Sequence, residues 1–225
     1  MKPNKIFGIG LSKTGTTSLF AALSILGYRA ETYRHLRERS LNEWFKGDFS
    51  HDYLSELDAV TDLPIGAFYP ALDIRYPGSK FILTTRNKTD WLESCSKFFA
   101  PTKMYLEKLG SFRDFSQISA YGVVSYNEAL FSYAYDTHMS GVRSYFSNRP
   151  EDLLTMSIVD GEGWEKLCPF LEEEIPNHEF PKTLPGGFLL PREVQARQRK
   201  DRFILPKIIK KPKKLMRKIT KQMFS

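Results

Sequence analysis

Residues 7–26 contain the residue types of an anion site, in an order that predicts a strand, a loop with glycines and a helix. The stretch is F-G-I-G-L-S-K-T-G-T-T-S-L-F-A-A-L-S-I-L, and its apolar residues recur at helical spacing after Gly15. Glycines let the backbone approach a ligand closely, while the first N–H groups and the dipole of a helix favour negative charge. We therefore expect a phosphate-like group at this junction.

The position of the lysine distinguishes this loop from a nucleoside-triphosphate site. A P-loop has the order G-x-x-x-x-G-K-[ST], in which the lysine directly follows the second glycine. Gly10 and Gly15 have that spacing, but Thr16 occupies the lysine position and Lys13 lies inside the loop. On the loop alone, a glycine-rich turn with a chance lysine is the alternative interpretation.

A second candidate anion site follows the apolar run K-F-I-L-T-T at residues 80–85. Arg86 stands at the end of this predicted strand, and Ser94 lies on the helix predicted over residues 90–99. Such a pair can converge on one phosphate, because the guanidinium offers two parallel donors and the hydroxyl a third. Pairing of Arg86 with Asp90 at the helix start is the alternative structural explanation.

Predicted strands alternate with predicted helices along the chain, which indicates an α/β fold. We expect a three-layer sandwich with a mostly parallel central sheet of about five strands, similar to P-loop nucleotide triphosphatases. Ligands of such sheets lie beyond the carboxyl ends of the strands. After the first strand and helix, the predicted strands are 28–32, 58–62, 80–85 and 153–159, and the predicted helices are 35–45, 64–76 with a kink at Pro70, 90–99, 121–146 and 162–171.

The stretch 101–119 shows no firm periodicity. Its aromatic residues suit a segment that covers a substrate, and a surface excursion is the equally simple alternative.

The charge of the chain is concentrated at its C-terminal end. The 225 residues carry a net charge of +7, but residues 197–225 hold twelve Lys and Arg against Asp201, so that residues 1–196 carry −4. We expect one α/β domain over residues 1–190 and a basic, partly amphipathic tail over residues 191–225. Basic and apolar residues interleave in 205–225, a pattern typical of adhesion to anionic membranes. A solvated, disordered basic end is the alternative, and nucleic acid is a less favoured partner.

Composition limits the compartment and the cofactors. Cys95 and Cys168 are far apart and have no metal-ligand spacing, which favours a reducing compartment and two small core residues. The short apolar run at the N-terminus lacks the pattern of a signal peptide, and no stretch has the length of a membrane span. We expect a cytoplasmic protein without a metal cofactor, with possible peripheral attachment to a membrane through its tail.

Three motifs resemble those of sulfotransferases that use 3′-phosphoadenosine 5′-phosphosulfate (PAPS). The order S-K-T-G-T-T resembles their 5′-phosphosulfate loop, and R-N-x-x-D-x-x-x-S from Arg86 to Ser94 resembles their 3′-phosphate motif. Between them, T-D-L-P at 61–64 is similar to the T-H-L-P of the cytosolic enzymes, whose histidine is the catalytic base. The resemblance covers residues 5–99, with a fainter likeness in 153–181. The loop residues that it implies for cofactor binding are Ser12, Lys13, Thr14, Gly15, Thr16, Thr17 and Ser18.

The chain also departs from the cytosolic sulfotransferases. Asp62 replaces the histidine, so the resemblance implies a carboxylate base, and no R-K-G motif completes the 3′-phosphate site. Glu31 is the second candidate base and His35 a weaker one. A strand-end acid that caps the helix after Pro64 is the structural alternative for Asp62.

The resemblance implies transfer of a sulfuryl group from PAPS to a hydroxyl or amine by in-line displacement. Lys13 would stabilise the leaving group and Asp62 would take the acceptor's proton. A small molecule, a lipid or a glycan would each suit as the acceptor. The alternatives are a P-loop-type kinase for nucleosides or small molecules, and a non-catalytic nucleotide-fold module that docks on membranes through its tail.

Overall fold

A parallel five-stranded sheet organises the part of the chain that the computed structural model describes, residues 4–32, 41–49, 52–100 and 110–182. The strand order is β2-β3-β1-β4-β5, and all four pairings are parallel. The strands are β1 (Ile6–Gly8), β2 (Ala30–Thr32), β3 (Ala59–Thr61), β4 (Lys80–Thr84) and β5 (Leu153–Met156). The expected α/β fold with about five mostly parallel strands is confirmed.

Two hydrophobic cores cover the two faces of the sheet. Successive strand residues point to opposite faces, so Ile6 and Ile82 pack into one core, whereas Phe7, Phe81 and Leu83 pack into the other. The strands are therefore apolar on both sides, as a sheet covered by helices on both faces requires. The α-helices in the described ranges are α1 (Thr16–Ile25), α2 (Leu41–Phe45), α3 (Asp52–Ser55), α4 (Tyr69–Arg75), α5 (Lys88–Phe98), α6 (Phe112–Tyr121), α7 (Glu128–Tyr145) and α8 (Trp164–Leu171).

The segment without firm periodicity contains a regular helix, which corrects the sequence interpretation for residues 111–119. Ser111 begins α6 with a reciprocal capping box, in which its side chain accepts from the Asp114 N–H and the Asp114 carboxylate accepts from the Ser111 N–H. Gly122 ends α6 in the left-handed conformation, and Asn127 caps the start of α7. Tyr121 therefore closes α6, and the expectation that it begins the long helix was wrong.

The stretch after Asp62 also differs from the prediction. A 3-10 helix at Ile65–Phe68 precedes α4, and Pro70 lies in the first turn of α4 instead of kinking a longer helix. Proline suits this position because N–H groups in the first turn of a helix have no intrahelical acceptor, so the absence of its N–H costs no hydrogen bond. Similarly, β5 ends at Met156, and a 3-10 helix occupies Ile158–Asp160.

Several predictions fall on residues outside the described ranges. These are residues 35–40 of the helix predicted over 35–45, residues 101–109 of the loose stretch 101–119, and the basic tail over 191–225, whose roles stay predictions. Within the described ranges, no helix is both long enough and apolar enough to cross a membrane.

The end of β1 passes so close to β4 that only glycine fits at position 10. A Cβ at Gly10 would lie 1.9 Å from the Thr84 hydroxyl oxygen and 2.8 Å from the Thr84 carbonyl oxygen. We predict that Gly10→Ala lowers the free energy of unfolding by about 1–3 kcal/mol, the usual effect of overpacking, in a denaturant titration.

Gly141→Ala is the matched control for this prediction. Gly141 lies inside α7, where the nearest atom to an added Cβ is the Tyr69 hydroxyl oxygen at 3.3 Å. Alanine has the higher helix propensity, so this change should be neutral or stabilising by up to about 1 kcal/mol. Equal unfolding free energies for the two variants would contradict the close approach at Gly10.

Candidate functional site

The loop between β1 and α1 ends in a helix N-terminus that no side chain caps. Gly15 occupies the N-cap position with φ +105°, and the first turn of α1 contains no acidic residue. Lys13 also has a left-handed backbone, with φ +74°. The N–H groups of Thr16 and Thr17 begin the helix, and Thr17 is exposed. This end of α1 therefore has the polarity and the access that an anion needs.

The Thr14 side chain stabilises the loop through contacts with Leu11 and Thr84. Its hydroxyl is buried, donates to the Leu11 carbonyl at 2.7 Å and lies 2.6 Å from the Thr84 hydroxyl. Thr16 and Ser18 are buried as well. Of the seven predicted loop residues, Ser12, Lys13, Gly15 and Thr17 are the partly or fully exposed ones.

Asp62 follows β3 and contacts this loop directly. The β1 and β3 strands pair with Gly8 opposite Thr61, so the residues that follow the two strands lie side by side. The Ser12 hydroxyl donates to Asp62 Oδ1 at 2.6 Å, and the Leu63 N–H donates to the same oxygen at 2.9 Å. Asp62 does not cap the helix after Pro64, because the side-chain cap there is absent.

Burial raises the pKa of Asp62 above its ordinary value. Hydrogen bonds from Ser12, the Leu63 backbone and Thr16, together with the positive charge of Lys13, oppose this rise without cancelling it. A carboxylate with a raised pKa is a stronger proton acceptor than an exposed aspartate. The arrangement therefore suits a general base.

The Lys13 ammonium lies over an aromatic ring at the end of α5. Its Nζ is 4.4 Å from the centroid of the Phe98 ring, a cation–π contact. Phe98 is 62% exposed, although it is a large apolar side chain. The cation–π contact thus holds the Lys13 ammonium over the Phe98 ring, and an anionic ligand can replace that contact.

Arg86 lies on the segment that joins β4 to α5, and Ser94 lies within α5. Asn87 caps α5 by accepting from the Thr89 and Asp90 N–H groups, and within the described residues Arg86 forms no ion pair with Asp90. The structural alternative for Arg86 therefore fails. Both Arg86 and Ser94 are partly exposed.

One cation from each candidate anion site lies near Cys95 of α5. Burial raises the pKa of the Cys95 thiol to about 12, while the charges of Lys13 and Arg86 both act to lower it. Both cations therefore lie near the residue that follows Ser94. Within the described residues, no group of three or more His, Cys, Asp or Glu side chains is placed to hold a metal ion.

Trp91 fixes the loop from α5 and was not predicted as a site residue. Its indole Nε1–H donates to the Ser12 carbonyl at 2.9 Å, and the ring is fully buried. From the sequence, Trp91 has the pattern of a packing residue. Only the fold shows that the polar atom of its ring faces the loop.

The other candidates lie elsewhere. Glu31 is in the edge strand β2, which β3 separates from β1 and its loop. His35 lies outside the described residues. His138, on α7, places Nε2 2.7 Å from the Ile9 carbonyl, and burial lowers its pKa, so it is a core histidine with a polar partner.

Fold and site together define an α/β protein with an uncapped helix N-terminus next to a buried carboxylate. The family model described as "Sulfotransferase domain" matches residues 5–185. Since this is most of the chain, the protein belongs to the sulfotransferase domain family. The resemblance drawn from the three motifs is therefore confirmed at the level of the family.

Two individual proteins are also similar to this chain. "Ava biosynthesis cluster protein M" from Aspergillus versicolor is 26% identical over 211 residues, with 79% of each chain covered. A solved structure, the sulfotransferase from Alicyclobacillus acidocaldarius, covers 88% of this chain and 90% of its own at 15% identity and a TM-score of 0.46. A likeness of that size carries no argument about function.

The raised pKa of Asp62 predicts how its replacement changes stability. Because the folded protein binds a proton at Asp62 more tightly than the unfolded chain does, ionisation of Asp62 costs stability as pH rises through its folded pKa. Asp62→Asn removes this cost and keeps an acceptor oxygen for Ser12 and Leu63. We predict a higher melting temperature than wild type at pH 7, measured by calorimetry.

The pH dependence provides the control. The difference should shrink as pH falls through the folded pKa and vanish below about 3.9, the value of an unperturbed aspartate. A lower melting temperature for Asp62→Asn at pH 7 would show instead that the ionised carboxylate stabilises the fold.

Proposed function

We propose that this sulfotransferase uses PAPS as donor, with Asp62 as the base that deprotonates the acceptor. The observation that carries the proposal is the direct hydrogen bond from Ser12, in the anion-binding loop, to Asp62. The loop would bind the charge of the sulfuryl donor, and Asp62 would receive the acceptor's proton. This hydrogen bond connects the two directly. A binding module without catalysis has no need for a buried carboxylate at that point.

The residues present suit a ligand with two separate anionic groups. The N-terminus of α1 and Lys13 would bind the 5′-phosphosulfate, and Arg86 with Ser94 would bind the 3′-phosphate. PAPS, when bound, supplies an activated sulfuryl group and a phosphate leaving group. Glycine at position 15 suits such a ligand, because its left-handed backbone turns the chain into α1 without a side chain at the N-cap.

Each residue of the chain then has a defined task. Lys13 would leave the Phe98 ring to face the charge that develops on the leaving oxygen. Ser12 and the Leu63 N–H hold one oxygen of Asp62 in place, which orients the carboxylate before the acceptor arrives. Asp62 takes the proton of the acceptor's hydroxyl or amine.

A kinase is the less favoured alternative. Kinases of the P-loop type place a lysine after the second glycine, where this chain has Thr16, and that threonine is buried. Arg86 and Ser94 would have no task with a nucleoside triphosphate. Thermal stabilisation by ATP and magnesium, but not by 3′,5′-bisphosphoadenosine (PAP), would favour the kinase.

We predict that Asp62→Asn lowers the rate of sulfate transfer by about 10²–10⁴-fold, the usual contribution of a general base. Binding of PAP should stay within about twofold of wild type, since the amide keeps the hydrogen bond from Ser12. Transfer from labelled PAPS and calorimetric titration with PAP measure the two properties separately.

Asp58→Asn is the matched control, because Asp58 precedes the same strand at its opposite end and is exposed. Its Oδ2 accepts from the Arg29 N–H at 2.8 Å, a bond that an amide oxygen can also accept. Undiminished transfer by Asp62→Asn would remove Asp62 from the mechanism.

Arg86→Ala should separate the two anion sites. Loss of a charge-assisted contact of about 1.5–3 kcal/mol predicts a roughly ten- to hundredfold weaker affinity for PAP. AMP lacks the 3′-phosphate, so its affinity should not change. Arg75→Ala, which removes an exposed arginine from the end of α4, is the charge-matched control. Equal losses for PAP and AMP would contradict a 3′-phosphate role of Arg86.

The acceptor is best sought by direct transfer. We expect wild-type protein to move label from PAPS to at least one member of a panel of phenols, lipids and glycans. Failure with every acceptor, together with no thermal stabilisation by PAP, would overturn the proposed function.

A further inference from the structure

Tyr121 is a buried residue of the site that the sequence did not single out. It is the last residue of α6 and is only 2% exposed. Its ring stacks on Phe131, with centroids 4.2 Å apart and an interplanar angle of 21°. Phe99 and Trp91 contact the same ring, with centroids at 5.6 and 6.2 Å. These three aromatic rings therefore fix its position.

The hydroxyl of Tyr121 lies beside the loop and the base. Trp91, which packs on the Tyr121 ring, donates to the Ser12 carbonyl, so the two aromatic residues approach the loop together. Ser12 and Asp62 are both close enough to influence the ionisation of Tyr121. The hydroxyl therefore lies near the Asp62 carboxylate.

This hydroxyl makes no hydrogen bond of standard geometry with any residue in the described ranges, although its oxygen is buried. Ser12 lies close to it, and the Ser12 hydroxyl donates its hydrogen bond to Asp62. Buried polar groups normally have a partner, because leaving one unpaired costs stability. A phenylalanine would fill the same aromatic cluster without this cost.

We propose that Tyr121 binds the acceptor, with its hydroxyl donating a hydrogen bond to the oxygen that attacks sulfur. This inference rests on the proposed function. Burial raises the pKa of Tyr121 well above its ordinary value of about 10, so the residue keeps its proton and acts only as a donor.

The group transfer balances with Tyr121 unchanged. One lone pair of the acceptor oxygen forms the new bond to sulfur, and the bond from sulfur to the bridging phosphate oxygen breaks with its electron pair going to the phosphate. The acceptor's proton moves to Asp62. The second lone pair of the acceptor oxygen receives the hydrogen bond from Tyr121. A neutral amine has a single lone pair, which it needs for the attack, so the contact favours hydroxyl over amine acceptors.

Tyr121→Phe tests this inference because it removes only the hydroxyl. We expect kcat/KM for the acceptor to fall by tenfold or more, whereas the affinity for PAP stays unchanged. The melting temperature should not fall, since no hydrogen bond of standard geometry with the described residues is lost.

Tyr76→Phe is the matched control. The Tyr76 hydroxyl donates to the Phe49 carbonyl at 2.7 Å, and the residue is buried. This variant should lose about 2–4 °C in melting temperature and keep its activity. A Tyr121→Phe variant that melts earlier, like Tyr76→Phe, and transfers sulfate at the wild-type rate would overturn the acceptor role.

The measurements separate the two proposals. Wild-type transfer combined with full activity of Tyr121→Phe would overturn the role of Tyr121 alone. Absence of wild-type transfer and of PAP binding would overturn the proposed function, and the role of Tyr121 with it.

Discussion

The hydrogen bond from Ser12 to Asp62 is the contact on which the site depends. It joins the loop after β1 to the residue after β3. The parallel pairing of Gly8 with Thr61 places these two segments side by side at the same edge of the sheet. A shift of one residue in this register would move Asp62 to the other face of the sheet. The close approach of Gly10 to Thr84 fixes the loop on its other side. The position of the proposed base is therefore set by the sheet itself.

This arrangement costs stability in several places. Lys13 and Asp62 both have a left-handed backbone, a conformation that costs about 1–3 kcal/mol for residues other than glycine. The Asp62 carboxylate is buried although it favours water, and the buried Tyr121 hydroxyl makes no hydrogen bond of standard geometry with the described residues. Unfavourable features of this kind persist where the surrounding fold over-determines them. Here the two hydrophobic cores on either side of the sheet provide that support.

The sequence predicted the parts of the fold that repeat a local pattern. The parallel sheet followed from apolar strands alternating with helices, and the loop followed from the order of Gly10, Lys13 and Gly15. The sequence did not predict α6, because its start depends on the reciprocal bonds between Ser111 and Asp114 more than on apolar periodicity. The roles of Trp91 and Tyr121 were also missed. Their aromatic rings have the spacing of core residues, and only tertiary packing shows where their polar atoms point.

Helix α5 explains how two distant sequence motifs can serve one ligand. Arg86 directly precedes its N-cap Asn87, and Ser94 lies in its second half. Its buried residue Trp91 contacts the loop, and Phe98 in its last turn lies under the Lys13 ammonium. A ligand that draws Lys13 off Phe98 would therefore act on the same rigid element that carries the proposed 3′-phosphate contacts. Because Trp91 also packs on Tyr121, that element reaches the proposed acceptor contact as well. One helix thus links the two proposed anion sites to the proposed base, and a fixed arrangement of these groups is what an in-line transfer requires.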